Sequence, residues 1–477
     1  GGRVAVIGSG IAGLTAAYLL SRKYKVTLYE REATVGMDAH SMDCLGARMD
    51  IPLRVFSESY YPNLCNIYRK LGVKYRAADY SFSCLSPQTT SPYSATAYFR
   101  YVNAFVAGMA LPIPCLLNLS QLSKCLRLGM QFAHFVRYSP TYLRKPGADG
   151  MTLSAFLDAH GYSREFAEQL LLPMLSVVCT CSYAACEAYP AEIIVDYFAN
   201  KYGLSGAQCR AYGGTRDVVK RMTAAVEKVV TSARVSEVVP TVPTAPSATV
   251  APRATVRHLD VDGSEHSNAF DQVVLATQAN ASLKLLRSET AAEQCAALSV
   301  FAYEKKRVVL HTDPSLMPPN RRDWSPLNIT VAPQEDAASV TVWMNHIDSS
   351  LRSELTSDLF QTWNPHCEPN PDTIKADYEF ERPVVTFDSV SAMTKIEHSQ
   401  GRGNVWLVGA YSLNSMPLLE NGVKSAIQVA TKLGVDCTDV AFNEADAATA
   451  HRAAAFRGYL KLSVAAVAIV ALLVSRK

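Results

Sequence analysis

Continuous apolar runs alternate along this chain with segments whose apolar residues recur at helical spacing. The first thirty residues show the clearest example. Val4 to Ile7 is a continuous apolar run, which predicts a buried parallel strand. A helical stretch follows over Leu14 to Ser21, and Lys25 to Tyr29 predicts a second strand. This order of elements predicts a βαβ unit at the start of the chain.

Similar patterns return much later in the sequence. Apolar runs predict buried strands over Asp271 to Thr277 and over Val405 to Val408. Other patterns predict helices over Asp217 to Val230 and Gly422 to Leu433, and a strand over Arg234 to Val239. The pattern of the first unit is therefore expected to resume in the middle of the chain and again near its C-terminus.

The segments between these patterns predict a different domain. Residues 100 to 140 are rich in Leu, Phe, Met and Ala and predict apolar helices, and further helices are expected over Thr152 to Tyr162 and Arg164 to Val178. Strands of a second sheet are expected over Val308 to His311 and Val340 to Asn345. Residues 240 to 254 predict a loose surface excursion, and Asp262-Gly263 a hairpin turn.

Three glycines in the first connection point to a ligand. Gly8, Gly10 and Gly13 follow the first strand, and Glu30 ends the second. In this context the glycines allow a tight turn, close approach of a pyrophosphate and close helix packing, while the acid accepts hydrogen bonds from a ribose. The alternative is a glycine turn in an unrelated βαβ unit.

Composition narrows the functional classes. The 477 residues are 49% hydrophobic and 19% charged, with a net charge of +3, which favours two or three domains with a large core and no nucleic-acid partner. The twelve cysteines lack metal-type spacing. The cluster Cys179, Cys181 and Cys186 is interpreted as buried reduced thiols of an intracellular protein, with no metal site expected.

The chain resembles the FAD-dependent amine oxidase and phytoene desaturase superfamily over roughly residues 3 to 435. It is most similar to a branch of NAD/FAD-binding oxidoreductases related to the N-terminal region of plant cyclopropane-fatty-acid synthases. The motifs that carry the resemblance are Val4 to Glu30, Tyr61-Pro62-Asn63-Leu64, Ser81-Phe82-Ser83, His160-Gly161-Tyr162-Ser163, Leu172-Pro173-Met174, Gly213-Gly214, Val274-Leu275-Ala276-Thr277, Leu310-His311-Thr312-Asp313, Gly409-Ala410-Tyr411 and Glu420-Asn421-Gly422.

The resemblance implies a residue set for FAD. The ADP half would be held by the first glycine loop and Glu30, and the adenine by the backbone of Val235. Segments near the C-terminus would hold the flavin, with the helix at Gly422 aimed at flavin O2. The predicted cofactor residues are Gly8, Ser9, Gly10, Ile11, Ala12, Gly13, Glu30, Arg31, Gly36, Met37, Arg54, Val235, Ala276, Thr277, Gly409, Ala410, Glu420, Asn421 and Gly422.

Two departures from the family pattern lie near the expected flavin ring. Relatives commonly have two adjacent glycines where this chain has Gly36-Met37, and they read Asp-Thr-Gly-Phe where it has Asp50-Ile51-Pro52-Leu53. With less room for the backbone there, either the flavin sits slightly differently or it binds less tightly.

Three residues are candidates for the chemistry, each with a structural alternative. Arg54 would bind an acidic substrate group, the flavin or a phosphate; the alternative is a salt bridge with Asp50 or Glu58. His311 would face the active site from its strand, or lie in the core or at the surface. Tyr411 would flank the flavin, or be an ordinary core aromatic.

The apolar segments give two further expectations. Residues 100 to 140, with Leu170 to Met174, would line a lipid-sized pocket or simply pack against the sheet. Leu462 to Ser475 is a charge-free run. A helix of this length spans about 20 Å, somewhat short of a bilayer core of about 30 Å. We expect a C-terminal membrane anchor, and the alternative is a helix docked on the protein.

These observations predict an α/β fold, with a Rossmann-type FAD-binding domain interleaved with an α+β substrate domain. The FAD-binding part comprises 1–75, 205–290 and 395–440; the substrate domain 76–204 and 291–394; a tether 441–460; and the anchor 461–477. The predicted function is an FAD-dependent dehydrogenase, desaturase or isomerase for a hydrophobic lipid or isoprenoid substrate, with or without a carboxylate, at a membrane. A flavin amine oxidase and a non-catalytic flavoprotein scaffold are the alternatives.

Overall fold

A parallel sheet gathers strands from distant parts of the chain in the computed structural model, which describes residues 2–86, 96–106, 109–114, 122–143, 150–198, 207–241, 253–286, 291–332 and 335–443. All four pairings of its five strands are parallel. In spatial order the strands are β10 (Lys228–Val230), β2 (Lys25–Tyr29), β1 (Arg3–Ile7), β14 (Gln272–Leu275) and β20 (Val405–Leu407).

Alternate side chains of this sheet enter two different cores. Val4 and Val6 of β1 belong to the main core, where α1 (Ile11–Leu20), α9 (Thr215–Thr223) and α14 (Leu419–Lys432) also pack. Ala5 and Ile7 belong to a second core on the opposite face. Helices on both faces explain why the strands are continuous apolar runs, as predicted.

The second core is closed by a small antiparallel sheet and three helices. The sheet pairs β11 (Arg234–Val239), β12 (Ala254–Leu259) and β13 (Glu265–Phe270). The helices are α10 (Ala279–Leu285), α11 (Ala292–Leu298) and α13 (Phe387–Ser399). The hairpin turn predicted at Asp262-Gly263 is confirmed: it joins β12 and β13, and Gly263 has a φ of +78°.

A second large sheet has eight strands. In spatial order they are β19 (Ile374–Val384), β15 (Ala302–His311), β18 (Phe360–Trp363), β17 (Ser339–Trp343), β16 (Leu327–Thr330), β6 (Phe82–Ser86), β7 (Thr96–Val106) and β8 (Met109–Pro114). Only the pairing of β16 with β6 is parallel among these described strands. Two short antiparallel pairs complete the strands: β3 (Met42–Cys44) with β4 (Ala47–Met49), and β5 (Tyr75–Ala78) with β9 (Gln208–Ala211).

The remaining helices lie mostly between these strands in the chain. They are α2 (Pro62–Leu71), α3 (Leu122–Leu143), α4 (Leu153–Ala159), α5 (Arg164–Phe166), α6 (Leu172–Leu175), α7 (Tyr183–Ala188), α8 (Ala191–Asp196) and α12 (Ser349–Glu354). Two π-helical turns, Ala167–Leu171 and Ser176–Thr180, connect α5 and α6 into one helical run up to residue 180. The helix predicted from Arg164 to Val178 is therefore confirmed.

Two of the predicted helices are wrong in part. The described residues 100–106 and 109–114 belong to β7 and β8, which pair antiparallel, and the next described helix starts at Leu122. Aromatic and β-branched residues in β7 favour an extended strand paired on both sides, which overrides the apolar composition. The helix expected over Asp217 to Val230 ends at Thr223, because Lys228 to Val230 instead pair with β2 at the edge of the parallel sheet.

The expected tail lies outside the described residues, which end at residue 443. Most of the loose excursion expected over 240 to 254 is also outside them. Within the part of the chain that the structure describes, no helix is both long enough and apolar enough to cross a membrane.

Candidate functional site

The connection between β1 and α1 leaves an open space in front of Gly10. A Cβ atom at Gly10 would meet no atom within 4 Å, and its φ of −61° suits any residue. α1 begins at Ile11 without a side-chain cap. Its first amide groups, which have no acceptor within the helix, therefore remain for an anion placed in that space.

The other two glycines of the loop are required by packing. Gly8 has a φ of +94°, a conformation that side chains disfavour. A Cβ at Gly13 would lie 1.9 Å from the carbonyl oxygen of Gly8, so α1 approaches the end of β1 too closely for any side chain. These contacts bring the start of the helix directly above the strand.

Glu30 lies at the carboxyl end of β2 and is fixed against the loop. Its Oε2 accepts hydrogen bonds from the amide of Ser9, at 3.1 Å, and from the Ser9 hydroxyl. Its Oε1 accepts from the amide of Glu32 at 2.9 Å. The Ser9 hydroxyl also accepts from the amide of Gly36 at 2.7 Å. A carboxylate offers about four acceptor positions, so Glu30 keeps capacity for a ribose diol.

Ala276 and Thr277 lie beside the same loop. The carbonyl oxygen of Ala276 is 3.0 Å from the position of a Cβ on Gly8, and the side chain of Thr277 is 3.1 Å from it. The Thr277 hydroxyl is 2.7 Å from that of Ser282 in α10. The end of β14 thus packs against Gly8, two residues before the open space.

The backbone just before Val235 is hydrogen-bonded to the residue that follows β2. The amide of Ala233, two residues earlier, donates to the carbonyl of Glu30 at 2.8 Å. A β-bulge interrupts the ladder between Val235 and Glu237. The bulge perturbs the backbone pairing at the position predicted to meet an adenine.

The N-terminus of α14 packs against that of α1. A Cβ on Gly422 would lie 3.0 Å from Cγ2 of Ile11. Gly409 donates its amide to the Ser425 hydroxyl at 3.0 Å, and Asn421 lies with its amide nitrogen 3.5 Å from the carbonyl of Ala410. Five predicted residues from opposite ends of the sequence therefore meet at one place.

Glu420 has a different role from the one predicted. Its buried carboxylate accepts from the amides of Asn63, at 2.9 Å, and Leu64, at 3.1 Å, and from the Asn63 side chain at 2.6 Å. It therefore caps the N-terminus of α2. Burial raises its pKa, against the effect of these hydrogen bonds.

The side chains of Arg31 and Met37 differ in environment, because the first is exposed and the second is buried. The Arg31 side chain is 78% exposed and pairs with Glu32 at 3.1 Å. Met37 is buried in the main core, within a short turn that follows Gly36. Met37 therefore packs inward at the position where relatives commonly have a glycine.

Arg54 follows a turn that is anchored to the second sheet. The amide of Leu53 donates to Gln361 at 2.7 Å, and Gln361 donates back to the carbonyl of Asp50 at 3.1 Å. Among the described residues Arg54 forms no ion pair, and its Nε is buried without a partner. The salt bridge considered for it is absent, because Asp50 bonds to Thr215 and Glu58 to Tyr75.

His311 lies in the core, which was one of the alternatives to a position facing the active site. It is fully buried in β15, with Nε2 2.8 Å from the Thr362 hydroxyl and Nδ1 accepting from the Asp313 amide at 3.2 Å. Its ring packs near Phe360. Desolvation lowers its pKa to about 4. Both ring nitrogens are used by the protein, so His311 is not available as an active-site base.

Tyr411 is also a core aromatic. It is 4% exposed, belongs to the second core and packs edge-on against Phe301 at 5.2 Å. Its ring occupies the space where a side chain on Gly409 would point, 2.5 Å from the Cβ position. Tyr411 thereby explains why position 409 has no side chain.

Sequence reasoning missed Arg382 of β19. Its Nε donates to the Thr180 hydroxyl at 2.7 Å, and it forms no ion pair among the described residues. Electrostatic repulsion from Arg382 contributes to a lower pKa of Arg54, after the larger effect of burial. No sequence motif marks Arg382, which lies on β19 where that strand pairs with β15.

The cysteine cluster next to Arg382 contains buried thiols, as predicted. Cys179, Cys181 and Cys186 are all free and buried, and the last two sulfurs are 3.5 Å apart. Hydrogen bonds from the neighbouring thiols lower the pKa of Cys179, with a smaller contribution from the charge of Arg382.

Comparison with known proteins supports the assignment of the first segment. Residues 6–71 match the family described as an NAD(P)-binding Rossmann-like domain. Among proteins with curated functions, none matches the sequence.

Solved structures match nearly the whole chain. A CLA-producing fatty acid isomerase from P. acnes aligns with a TM-score of 0.61 and 14% identity, covering 91% of this chain and 99% of its own. Cyclohexylamine oxidase from Brevibacterium oxydans IH-35A gives 0.56 and 14%, covering 91% and 99%. The chain has the fold of the FAD-dependent amine oxidases. A putrescine oxidase variant redesigned in cofactor binding also has this fold, with a TM-score of 0.57, 14% identity and coverage of 91% and 98%.

Proposed function

We propose that the protein is an FAD-dependent oxidoreductase, a dehydrogenase, desaturase or isomerase, that acts on a hydrophobic lipid or isoprenoid substrate. The observation that carries the proposal is the open space at Gly10. The free amides of α1 follow Gly10 directly, the carboxylate of Glu30 binds the preceding Ser9, and the carbonyl oxygen of Ala276 lies 3.0 Å from the position of a Cβ on Gly8. This arrangement suits the pyrophosphate and ribose of an adenine dinucleotide.

The second helix N-terminus favours FAD over NAD. α14 begins beside α1, so two sets of partial positive charge converge at one site. The residues that would hold FAD are Gly10 and Glu30 for the ADP half, with Gly409, Ala410 and Gly422 for the flavin half. A bound flavin supplies hydride acceptance and return. The protein orients the substrate, excludes water and favours negative charge near α14.

The hydrophobic substrate is supported by a shared fold. Leu170 to Leu175 are buried in the core, which favours the packing alternative for this segment over a pocket lining. A fatty acid isomerase shares the fold. The proposed relation to the N-terminal region of plant cyclopropane-fatty-acid synthases points the same way.

A variant of Gly10 tests the cofactor site cleanly. Because its φ is ordinary and the space is open, Gly10→Val should fold normally while filling the place of the pyrophosphate. We expect purified wild-type protein to carry yellow FAD and Gly10→Val to lose most of it. Gly129→Ala in α3 is the control, because a Cβ there meets Phe99 at an ordinary 3.8 Å. A colourless wild-type protein that cannot be reconstituted with FAD would contradict the proposal.

A flavin amine oxidase is the second candidate, because two of the matching structures are amine oxidases. The two functions differ in the substrate that reduces the flavin. Anaerobic reduction by simple primary amines, and not by fatty or isoprenoid compounds, would favour the amine oxidase.

We also propose that residues 461–477 attach the protein to an intracellular membrane. The charge-free run from Leu462 to Ser475, flanked by Lys461 and Arg476, supports this proposal. The full chain should float with phosphatidylcholine vesicles, whereas a chain ending at residue 443 should not. Equal flotation of both proteins would contradict the anchor.

A further inference from the structure

We propose that Cys181 and Cys186 are a peroxide-sensitive dithiol, which hydrogen peroxide converts into an intramolecular disulfide. The proposal goes beyond the redox chemistry of a flavin and does not depend on it. It rests on the contact between the two sulfurs, on the fixed backbone between them and on a small crevice that reaches Cys181.

The two sulfurs already touch in the reduced protein. Cys181 Sγ lies 3.5 Å from Cys186 Sγ, and both cysteines are free and 0% exposed. Because an S–S bond is about 2.05 Å long, the two sulfurs have to approach by only about 1.5 Å. The third cysteine of the cluster, Cys179, has its sulfur 3.5 Å from Sδ of Met416. The contact between the sulfurs therefore points to Cys181 and Cys186 as the pair.

The backbone between the two cysteines is held in place. Cys181 comes just before α7, and the Ser182 hydroxyl caps that helix by accepting from the amide of Ala185 at 3.2 Å. The amide of Cys186 donates to the carbonyl of Ser182 at 3.0 Å. Glu304 of β15 accepts from both the amide and the hydroxyl of Ser182 at 2.8 Å. The two thiols are therefore positioned before an oxidant arrives, which lowers the entropic cost of joining them.

A narrow crevice gives a small oxidant access to Cys181. It lies between residues 176–181 and the strands β17 and β18, and it has room for about one water-sized molecule. Cys181 lines it together with the half-buried Trp363 and Asn364. Lys306 and Asn364 add polar lining, which suits an oxidant that forms hydrogen bonds. Hydrogen peroxide is only two oxygen atoms long, whereas a bulky oxidant such as glutathione disulfide does not fit.

A neighbouring thiolate can accept the proton that Cys181 has to lose. Hydrogen bonds from the two other thiols of the cluster lower the pKa of Cys179, and desolvation of this buried group opposes them. The contact with Cys179 in turn raises the pKa of Cys181. Transfer of the Cys181 proton to Cys179 moves the negative charge to the sulfur that lines the crevice. This transfer matters because the thiolate, and not the thiol, is the nucleophile.

The reaction balances with one molecule of hydrogen peroxide. The Cys181 sulfur attacks one peroxide oxygen, the O–O bond breaks, and the other oxygen leaves as water with the proton taken from Cys181. The product of this step is a sulfenic acid. The Cys186 sulfur then attacks the sulfur of Cys181, and the hydroxyl group leaves as a second water with the Cys186 proton. In total the two thiols lose two electrons, and hydrogen peroxide gains them.

Peroxide treatment of the full chain, followed by alkylation under denaturing conditions and mass spectrometry, tests the proposal. Trypsin releases the three cysteines of the cluster in one peptide, residues 165–201. We expect peroxide to leave one of the three open to alkylation and dithiothreitol to restore all three. Glutathione disulfide should form the same bond in native protein at least about tenfold more slowly, because access governs the rate. Equal rates with both oxidants, or three alkylated cysteines after peroxide, would overturn the proposal.

Variants of the cluster identify the two cysteines that form the bond. Cys181→Ala and Cys186→Ala should each abolish the disulfide. Cys179→Ala should slow its formation and still give it, since Cys179 only accepts a proton. Cys437→Ala, at another buried thiol, is the control and should behave as the wild type. A disulfide that still forms in Cys181→Ala, or that is lost in Cys179→Ala, would overturn the assignment. None of these measurements requires FAD, so their outcome is separate from that of the flavin proposal.

Discussion

At the scale of single residues, the sequence predicted the roles of the motif glycines but not those of the buried polar groups. The roles of Gly8, Gly10 and Gly13 could be predicted because a βαβ connection requires a particular backbone conformation and a close approach of helix to strand. The role of His311 could not be predicted, because it depends on Thr362 in a neighbouring strand. A side chain whose function comes from a partner far along the chain leaves no local pattern.

The buried state of His311 predicts a pH dependence of stability. Its pKa is about 4 in the folded protein and about 6.5 when unfolded, so the neutral form stabilises the fold above pH 6.5 and this stabilisation is lost as pH falls toward 4. Between pH 7.5 and pH 5 the loss is about 2 kcal/mol.

Thermal unfolding of the wild type and His311→Gln at these two pH values measures this effect. The wild type should lose more stability than the variant, a difference of about 2 °C for a chain of this size. The same pH dependence in both proteins would show that His311 protonates freely in the folded state.

At the scale of elements, residues from the motifs that carry the family resemblance cap the N-termini of helices in other motifs. The Asn63 motif and the Glu420 motif are far apart in sequence, yet Glu420 caps α2 through Asn63 and Leu64. Similarly, Asp50 lies 2.8 Å from the position of a Cβ on Gly214 and caps α9 through Thr215. These pairings assign structural roles to motif residues that sequence alone placed near the cofactor.

Removal of the cap on α2 should destabilise the protein without direct loss of a cofactor contact. Glu420→Ala leaves two buried amides unpaired, and we expect a loss of about 2–4 kcal/mol in the free energy of unfolding. Chemical denaturation measures it, with the exposed Glu265→Ala as the control. Unchanged stability together with reduced FAD content would instead make Glu420 a cofactor ligand.

At the scale of the whole molecule, the sequence predicted that the chain returns to the parallel sheet. It predicted only some strands of the second sheet. β14 and β20 are apolar runs because helices cover both faces of the parallel sheet. β7 and β8 were predicted as helix from the apolar composition of residues 100 to 140, and that composition does not encode their strand pairing.

A cofactor held by segments from both ends of the chain should stabilise the whole fold. FAD at 100 times its dissociation constant adds about 2.7 kcal/mol to the folded state. For a chain of this size, that raises the unfolding midpoint of FAD-free protein by roughly 2–4 °C. NAD at the same concentration should give a smaller shift, and an equal shift would argue against preference for the flavin.

The most direct test of the central claim is the identity of the nucleotide released when purified protein is denatured. Chromatography and mass spectrometry of the released fraction should show FAD at about one molecule per chain, as the single glycine-loop site predicts. Release of NAD, or of no nucleotide from a folded protein that also fails to take up FAD, would contradict the account.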